Sequence, residues 1–181
     1  MFKKIVITSV IFAGCLSTAW AGSFYLGPAL TYEALKAGRI HYQGLSPVLY
    51  IGYGDWVREW LYIAGEIFGS PKSIDINNEP KNGVSLKTKY TYGASLIPGI
   101  NLDDMIMAYA RLGFVSAKFQ DLNERKGGSQ MGLGLDGKIM DCWSIRAEYV
   151  YTMYSSVSGV GSLRSDEFTL AAIYQLDSLL S

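Results

Sequence analysis

The chain has 181 residues with sixteen basic and sixteen acidic side chains, a balance that argues against a nucleic-acid partner, which asks for a clustered positive face. One histidine and two cysteines are too few to build a metal shell. Hydrophobic residues make up 49% of a chain that also holds 20 Gly and 13 Tyr, yet no stretch beyond the leader is long and apolar enough for a transmembrane helix. Strands that alternate apolar and polar side chains account for such a composition, because half of each strand is apolar while no window is hydrophobic throughout.

The first residues read as a secretory signal. Met1-Phe2-Lys3-Lys4 is basic, residues 5–16 form an apolar run too short to cross a bilayer, and Ala19-Trp20-Ala21 fits the small-x-small cleavage rule. A signal peptide is expected over 1–21, with the functional chain starting at Gly22. The alternative is a lipoprotein-like box, Phe12-Ala13-Gly14-Cys15, which would put a lipid on Cys15; the Ala-x-Ala site just downstream favours a cysteine discarded with the leader. Cleavage would remove Lys3 and Lys4 and no acidic residue, leaving the remainder two charges acidic. Cys142 would then be the sole thiol, so no intrachain disulfide is expected.

Beyond the leader, alternation predicts eight strands. Residues 23–33 put Phe24, Leu26, Pro28, Leu30 and Tyr32 on one face against Tyr25, Gly27, Ala29, Thr31 and Glu33 on the other. A polar loop over 36–46, holding His41, leads to a weakly alternating strand at 47–53 and a two-residue turn at Gly54-Asp55. The third strand spans 56–68, and a loop over 69–83, rich in Ser, Pro, Asn, Asp and Gly, follows it. The fourth spans 84–97, a turn falls at 98–103, the fifth spans 104–118, and a third loop covers 119–128. The sixth and seventh, 132–139 and 143–151, are joined by a tight turn at Met140-Asp141-Cys142. A fourth loop at 155–164 precedes the eighth strand, 165–176, and a short tail at 177–181. Three short turns alternating with four long loops describe an all-β, eight-stranded antiparallel up-and-down barrel over 22–176. At roughly 9–11 residues per crossing, eight strands fit a transmembrane β-barrel of this length.

Two barrels share this alternation. A soluble lipocalin-like barrel would turn its apolar face inward around a lipid, whereas a membrane barrel turns it outward. The polar face is crowded with small residues (Gly27, Ala29, Ala64, Gly93, Ser95, Gly113, Gly132, Gly134), which suits a lumen just wide enough for side chains. The apolar face carries aromatics where two membrane interfaces would fall: Phe24, Tyr53, Trp56, Trp143 and Tyr174 near the turns, Tyr32, Phe114, Tyr151 and Phe168 near the loops. The membrane barrel is the expectation. Its inner charges, Glu66, Asp136 and Glu148 against Lys89, Arg111 and Arg146, must pair with one another. Such a network closes the lumen; a narrow gated pore lined by the same residues is the alternative.

Chemistry of other kinds is sparse. A lipid A-modifying enzyme of the Ser-His-acid kind is a further alternative, but it needs a histidine base, and His41 stands alone within Arg39-Ile40-His41-Tyr42. Gly132-x-Gly134 precedes no helix and is read as interior packing rather than a phosphate loop. No enzyme and no cofactor are expected.

The hairpin of a Gly-rich strand from Gly132, a tight turn and Trp143-Ser144-Ile145-Arg146-Ala147-Glu148-Tyr149-Val150-Tyr151 resembles the penultimate hairpin of OmpA/OmpX/opacity-type outer-membrane barrels. The resemblance implies a bacterial outer-membrane location and contact with membrane lipid and lipopolysaccharide. It also implies insertion by the outer-membrane assembly machinery through a C-terminal strand signal, where Tyr174-Gln175-Leu176 stands in place of a terminal aromatic. With the lumen closed, the outer loops are where binding to a host or matrix ligand would reside. Their charges are mixed, Lys72, Asp75, Glu79 and Lys81 in the second and Asp121, Glu124, Arg125 and Lys126 in the third, so no general attraction to polyanions is expected.

Overall fold

The computed structural model describes residues 22–37, 40–71, 74–78, 88–119, 125–155 and 163–176. The expected signal peptide, Cys15 and the tail at 177–181 lie outside them. In order the strands are β1 Ser23–Ala37, β2 Ile40–Arg58, β3 Leu61–Ser70, β4 Ile74–Asn78, β5 Thr88–Asp103, β6 Ile106–Phe119, β7 Arg125–Met140, β8 Trp143–Tyr154 and β9 Leu163–Gln175. Every pairing is antiparallel between strands adjacent around the sheet, and β1 pairs with both β2 and β9, which closes the barrel. The short β4 resumes the pairing with β2 that β3 leaves at Gly69, so β3 and β4 together make one stave of eight. The Leu176 amide donates to the Phe24 carbonyl and fastens the seam.

The faces fall as the alternation predicts. Tyr25, Tyr50, Tyr62, Tyr109, Ile97 and Ile173 are buried inside, while Leu30, Ile51, Leu96, Leu133, Leu135, Ile145 and Leu170 are exposed on the outer wall. An exterior of this kind is stable only against lipid. At the turn end, Phe24 packs on Tyr53 with ring centroids 4.7 Å apart, and Trp143 packs on Tyr174 at 4.9 Å. At the loop end, Tyr32 and Tyr149 flank Phe168 in register, with Tyr151 half-buried and Phe114 exposed on the same outer face. From Phe24 to Tyr32 the chain rises about 27 Å along the strand, or about 20 Å along the barrel axis at a tilt of about 40°. That spacing matches a hydrocarbon belt between two aromatic girdles.

Strand ends differ from the sequence expectation. The first turn is Glu59-Trp60 rather than Gly54-Asp55, because β2 continues to Arg58. Gly54 faces the lumen, where a Cβ would meet Tyr62 and Ala64; it is small for packing and not for a turn. Trp56 therefore ends β2 instead of opening β3, and stacks on the inward Tyr62 at 5.3 Å. The next turn is Asp104-Met105, with β5 paired as far as Asp103. The turn at Asp141-Cys142 falls where expected.

At the other end, residues 36–37 and 40–46 of the expected loop are instead the paired ends of β1 and β2, with His41 opposite Lys36. Part of the 69–83 loop is β4, and β7 begins at Arg125 inside the expected 119–128 loop. Pairing continues past the membrane belt, where the outer face turns largely polar while Leu35, Tyr42, Ala117 and Leu163 still pack inside. Residues 79–87, 120–124 and 156–162, which carry most of the remaining loops, lie outside the described residues.

Leu135 sits on the outer wall midway along the β7–β8 hairpin, paired with Ala147. Leu135→Arg is expected to destabilise the folded barrel by about 2–4 kcal/mol, measured by urea unfolding in lipid vesicles. Leu135→Ile is expected to leave the midpoint in place.

Candidate functional site

The lumen is filled at mid-height by charges drawn from four staves. Glu66 projects from β3, Arg111 from β6, Asp136 from β7, and Arg146 and Glu148 from β8. Inward parity puts each of them there, and register sets their neighbours: Asp136 lies opposite Arg146, Glu148 opposite Gly134, and Glu66 opposite Ser95 and Gly52. The Arg111 guanidinium donates from Nη2 to Glu66 Oε1 at 2.5 Å, from Nε to Glu148 Oε2 at 3.1 Å, and from Nη1 to Ser95 Oγ at 3.1 Å. Arg146 donates from Nη1 to the other Glu66 oxygen at 2.7 Å and from Nε to Asp136 Oδ2 at 3.1 Å. Glu66 is thus shared by both guanidiniums.

Tyrosines complete the set. Tyr25 donates to Glu66 at 2.9 Å, and Tyr50 and Tyr109 donate to Glu148 at 3.1 and 2.7 Å. Their rings serve a second purpose, because Arg111 lies over Tyr50 at 5.0 Å, and Arg146 over Tyr109 at 5.0 Å and Tyr25 at 5.3 Å. Two glycines make this geometry reachable. A Cβ at Gly52 would collide with the Tyr25 ring, and one at Gly134 with the Tyr109 ring. The small residues of the inner face are spaces into which the tyrosines fold.

Charge taken out of water is tolerated when every lone pair and proton has a partner. Here each carboxylate oxygen of Glu66 and Glu148 accepts at least one hydrogen bond. The cluster, here called the septum, lies between two chambers. Arg111 and Glu148 line a cavity of about 40 Å³ on the loop side, while Arg146, Asp136 and Tyr25 line a vestibule of about 310 Å³ on the turn side.

Of the six charges the sequence nominated, five meet and Lys89 does not. A register shift between Thr88 and Tyr90 leaves Lys89 exposed and turns Thr88 inward, where it is buried and donates to Glu33 at 3.5 Å. Seven of the eight nominated interface aromatics, Phe24, Tyr32, Phe114, Trp143, Tyr151, Phe168 and Tyr174, share the outer face. Trp56 has the inward parity of Gly52 and Gly54 and lines the turn-side vestibule instead. The three tyrosine donors were not assigned to the network from the sequence, and Ser95 was read there only as a small lumen residue. Their signal was available in the inward parity of Tyr25, Tyr50 and Tyr109.

No family model and no curated protein matches the chain. Among solved structures, the Neisserial surface protein A is similar over 86% of this chain and 99% of that one, with a TM-score of 0.65 and 20% identity. Ail, the attachment invasion locus protein of Yersinia pestis, was solved in complex with the heparin analogue sucrose octasulfate. It is similar over 86% of this chain and 99% of that one, with a TM-score of 0.59 and 15% identity. At these identities the likeness is one of fold. The chain has the fold of a small outer-membrane β-barrel, and its apolar outer wall between aromatic girdles suits it to that membrane.

Removing one member of the septum strands the others. Arg146→Ala leaves Asp136 and one Glu66 oxygen without their cation and is expected to cost about 3–5 kcal/mol, seen as a lower urea midpoint with heat-modifiable gel mobility as the readout of folding. Lys89→Ala, outside the network, is expected to leave the midpoint unchanged.

Proposed function

We propose that this outer-membrane barrel conducts nothing through its lumen and acts at its outer rim, in envelope structure and surface interaction. The observation that carries this reading is the septum, in which Glu66, Arg111, Arg146 and Glu148 join β3, β6 and β8 across the lumen. With the interior filled, the rim and loops are the surface left for partners. The reading is non-enzymatic: His41, the one histidine of the chain, lies on a paired strand opposite Lys36.

The rim has a sign that the loops alone did not reveal. Because the strands run past the membrane belt, Lys36, Lys89, Lys118, Arg125, Lys126 and Arg164 stand at the loop end. The described acids there, inward Glu33 and Glu167 aside, are Asp75 and Asp166. Lys36 is ion-paired to Asp166, at 3.4 Å. The turn end is the reverse, with Asp55, Glu59, Asp103, Asp104 and Asp141 against Arg58 and Lys138. Among the described residues, charge is thereby polarised along the barrel axis, basic at the loop end. Such a rim attracts polyanions, which supports phosphorylated lipopolysaccharide or a sulfated saccharide as the partner class, and Ail's heparin analogue is chemistry of that kind.

Replacing Lys36, Lys118 and Arg164 with Gln tests the rim. The variant is expected to insert and remain heat-modifiable, while binding to lipopolysaccharide vesicles or immobilised heparin weakens about tenfold or more and loses its salt dependence. Unchanged binding to both would restrict the role to envelope structure.

A narrow gated channel is the second reading, favoured by the two chambers that meet at the septum. Planar-bilayer recording separates them. The closed barrel is expected to give no steady nanosiemens-scale conductance, since wide aqueous pores belong to barrels of about 16 strands or more.

A further inference from the structure

Above the septum lies a second group of charges that the ion-pair network does not use. Glu33 on β1 and Glu167 on β9 are directly opposite in the ladder and face the lumen together. No cation lies within ion-pair distance of either carboxylate among the described residues. Their recorded partners are hydroxyls: Thr88 donates to Glu33 at 3.5 Å and Thr152 to Glu167 at 3.0 Å. Buried apolar residues, Leu35, Tyr42, Ala117 and Leu163 among them, pack together on the loop side of the pair. The septum lies beneath the pair.

Gln130 on β7 supplies the second observation. It is 6% exposed, lines the same 40 Å³ cavity as Glu33 and Glu167, and donates from Nε2 to Thr152 Oγ1 at 3.1 Å. Its Oε1 is buried with no hydrogen-bond partner. A buried acceptor left empty costs about 1–3 kcal/mol, and a buried carboxylate facing a second, part-buried one adds to that cost. The three share one deficit: each is an oxygen ligand with no cation in ion-pair contact, Arg111 on the cavity floor being turned to Glu66 and Glu148.

From this geometry we infer that the loop-side chamber is a binding site for a hard divalent cation of the calcium type, held by the Glu33 and Glu167 carboxylates and Gln130 Oε1. Two carboxylates match the charge of a dication, and an amide oxygen is an ordinary ligand for it. The cavity has room for an ion with one or two waters, given about 10–15 Å³ for each water-sized occupant. Calcium accepts the irregular oxygen shell that three separate staves would present, whereas magnesium demands near-octahedral geometry. The site lies at the level of the Tyr32 girdle and ties β1 to β9, the pair that closes the barrel, and to β7 across the lumen.

The test uses the full chain refolded into a zwitterionic detergent without lipopolysaccharide, in CaCl2 or in EDTA, then desalted. Metal analysis of protein refolded in CaCl2 is expected to give one calcium per chain. Terbium is expected to replace it with tyrosine-sensitised luminescence, quenched by added calcium. Glu33→Gln combined with Glu167→Gln removes the buried charge at nearly constant shape, so the variant should still fold and remain heat-modifiable. Its calcium content should fall about tenfold or more, because affinity follows the ligands' charge. Gln130→Leu should weaken terbium binding with both carboxylates intact. Wild-type protein that carries no calcium and unfolds at the same temperature after either refolding would overturn the site and leave the pair sharing a proton. A double variant retaining wild-type calcium would also overturn it, by placing the ion on the surface.

Discussion

Two guanidinium groups sharing one carboxylate hold the interior of this barrel together. Glu66 accepts from both Arg111 and Arg146, and through it β3, β6 and β8 are joined across a lumen that backbone pairing never crosses. Hydrogen bonds between staves fix circumference and register but do little against flattening. Charged side chains meeting at the axis resist it, because any change of cross-section pulls apart ion pairs that have no water to replace them. The glycines of the inner wall serve the same end by letting Tyr25 and Tyr109 lie flat enough for their hydroxyls to reach the carboxylates.

The outer wall follows a separate constraint. Lipid offers no hydrogen bonds, so a closed ladder with apolar side chains outside is one of two ways to cross it. The girdle residues mark where that solvent ends. Beyond them the strands continue, since pairing is favourable in water as well, and the side chains turn to Lys, Arg and Gln. The same eight staves thus serve three environments along their length: an acidic turn face, a hydrocarbon belt and a basic rim.

Which face of each strand points inward was legible from the sequence, because a period of two carries that information through any stretch with one apolar face. Five of six lumen charges followed directly. What failed were boundaries and one register. Gly54-Asp55 reads as a hairpin turn, yet Gly54 is small because Tyr62 occupies the space beside it, and local turn chemistry cannot show a neighbour arriving from another strand. Residues 40–46 read as loop because the outer face turns largely polar where lipid stops, although the backbone pairing continues. Lys89 was misplaced by a single bulge, which flips every side chain beyond it. The polarity of the rim was hidden for a related reason: it becomes visible only when the strand ends are assigned to one end of the barrel.

The seam between β1 and β9 has a consequence for how the molecule is assembled. Residues 23–37 find one of their two partners in residues 163–175, so that pairing spans nearly the whole described chain and cannot form until the last strand is available. Contacts so distant in sequence carry a large closure entropy and come slowly. Until then β1 and β8 present unpaired edges, flanked by outer walls of exposed Leu, Ile and Phe, a combination that invites pairing between molecules. The intermediate is therefore at its most vulnerable just before completion, and a compartment that handles such a chain must shield two edges and a greasy wall at once until the final strand docks.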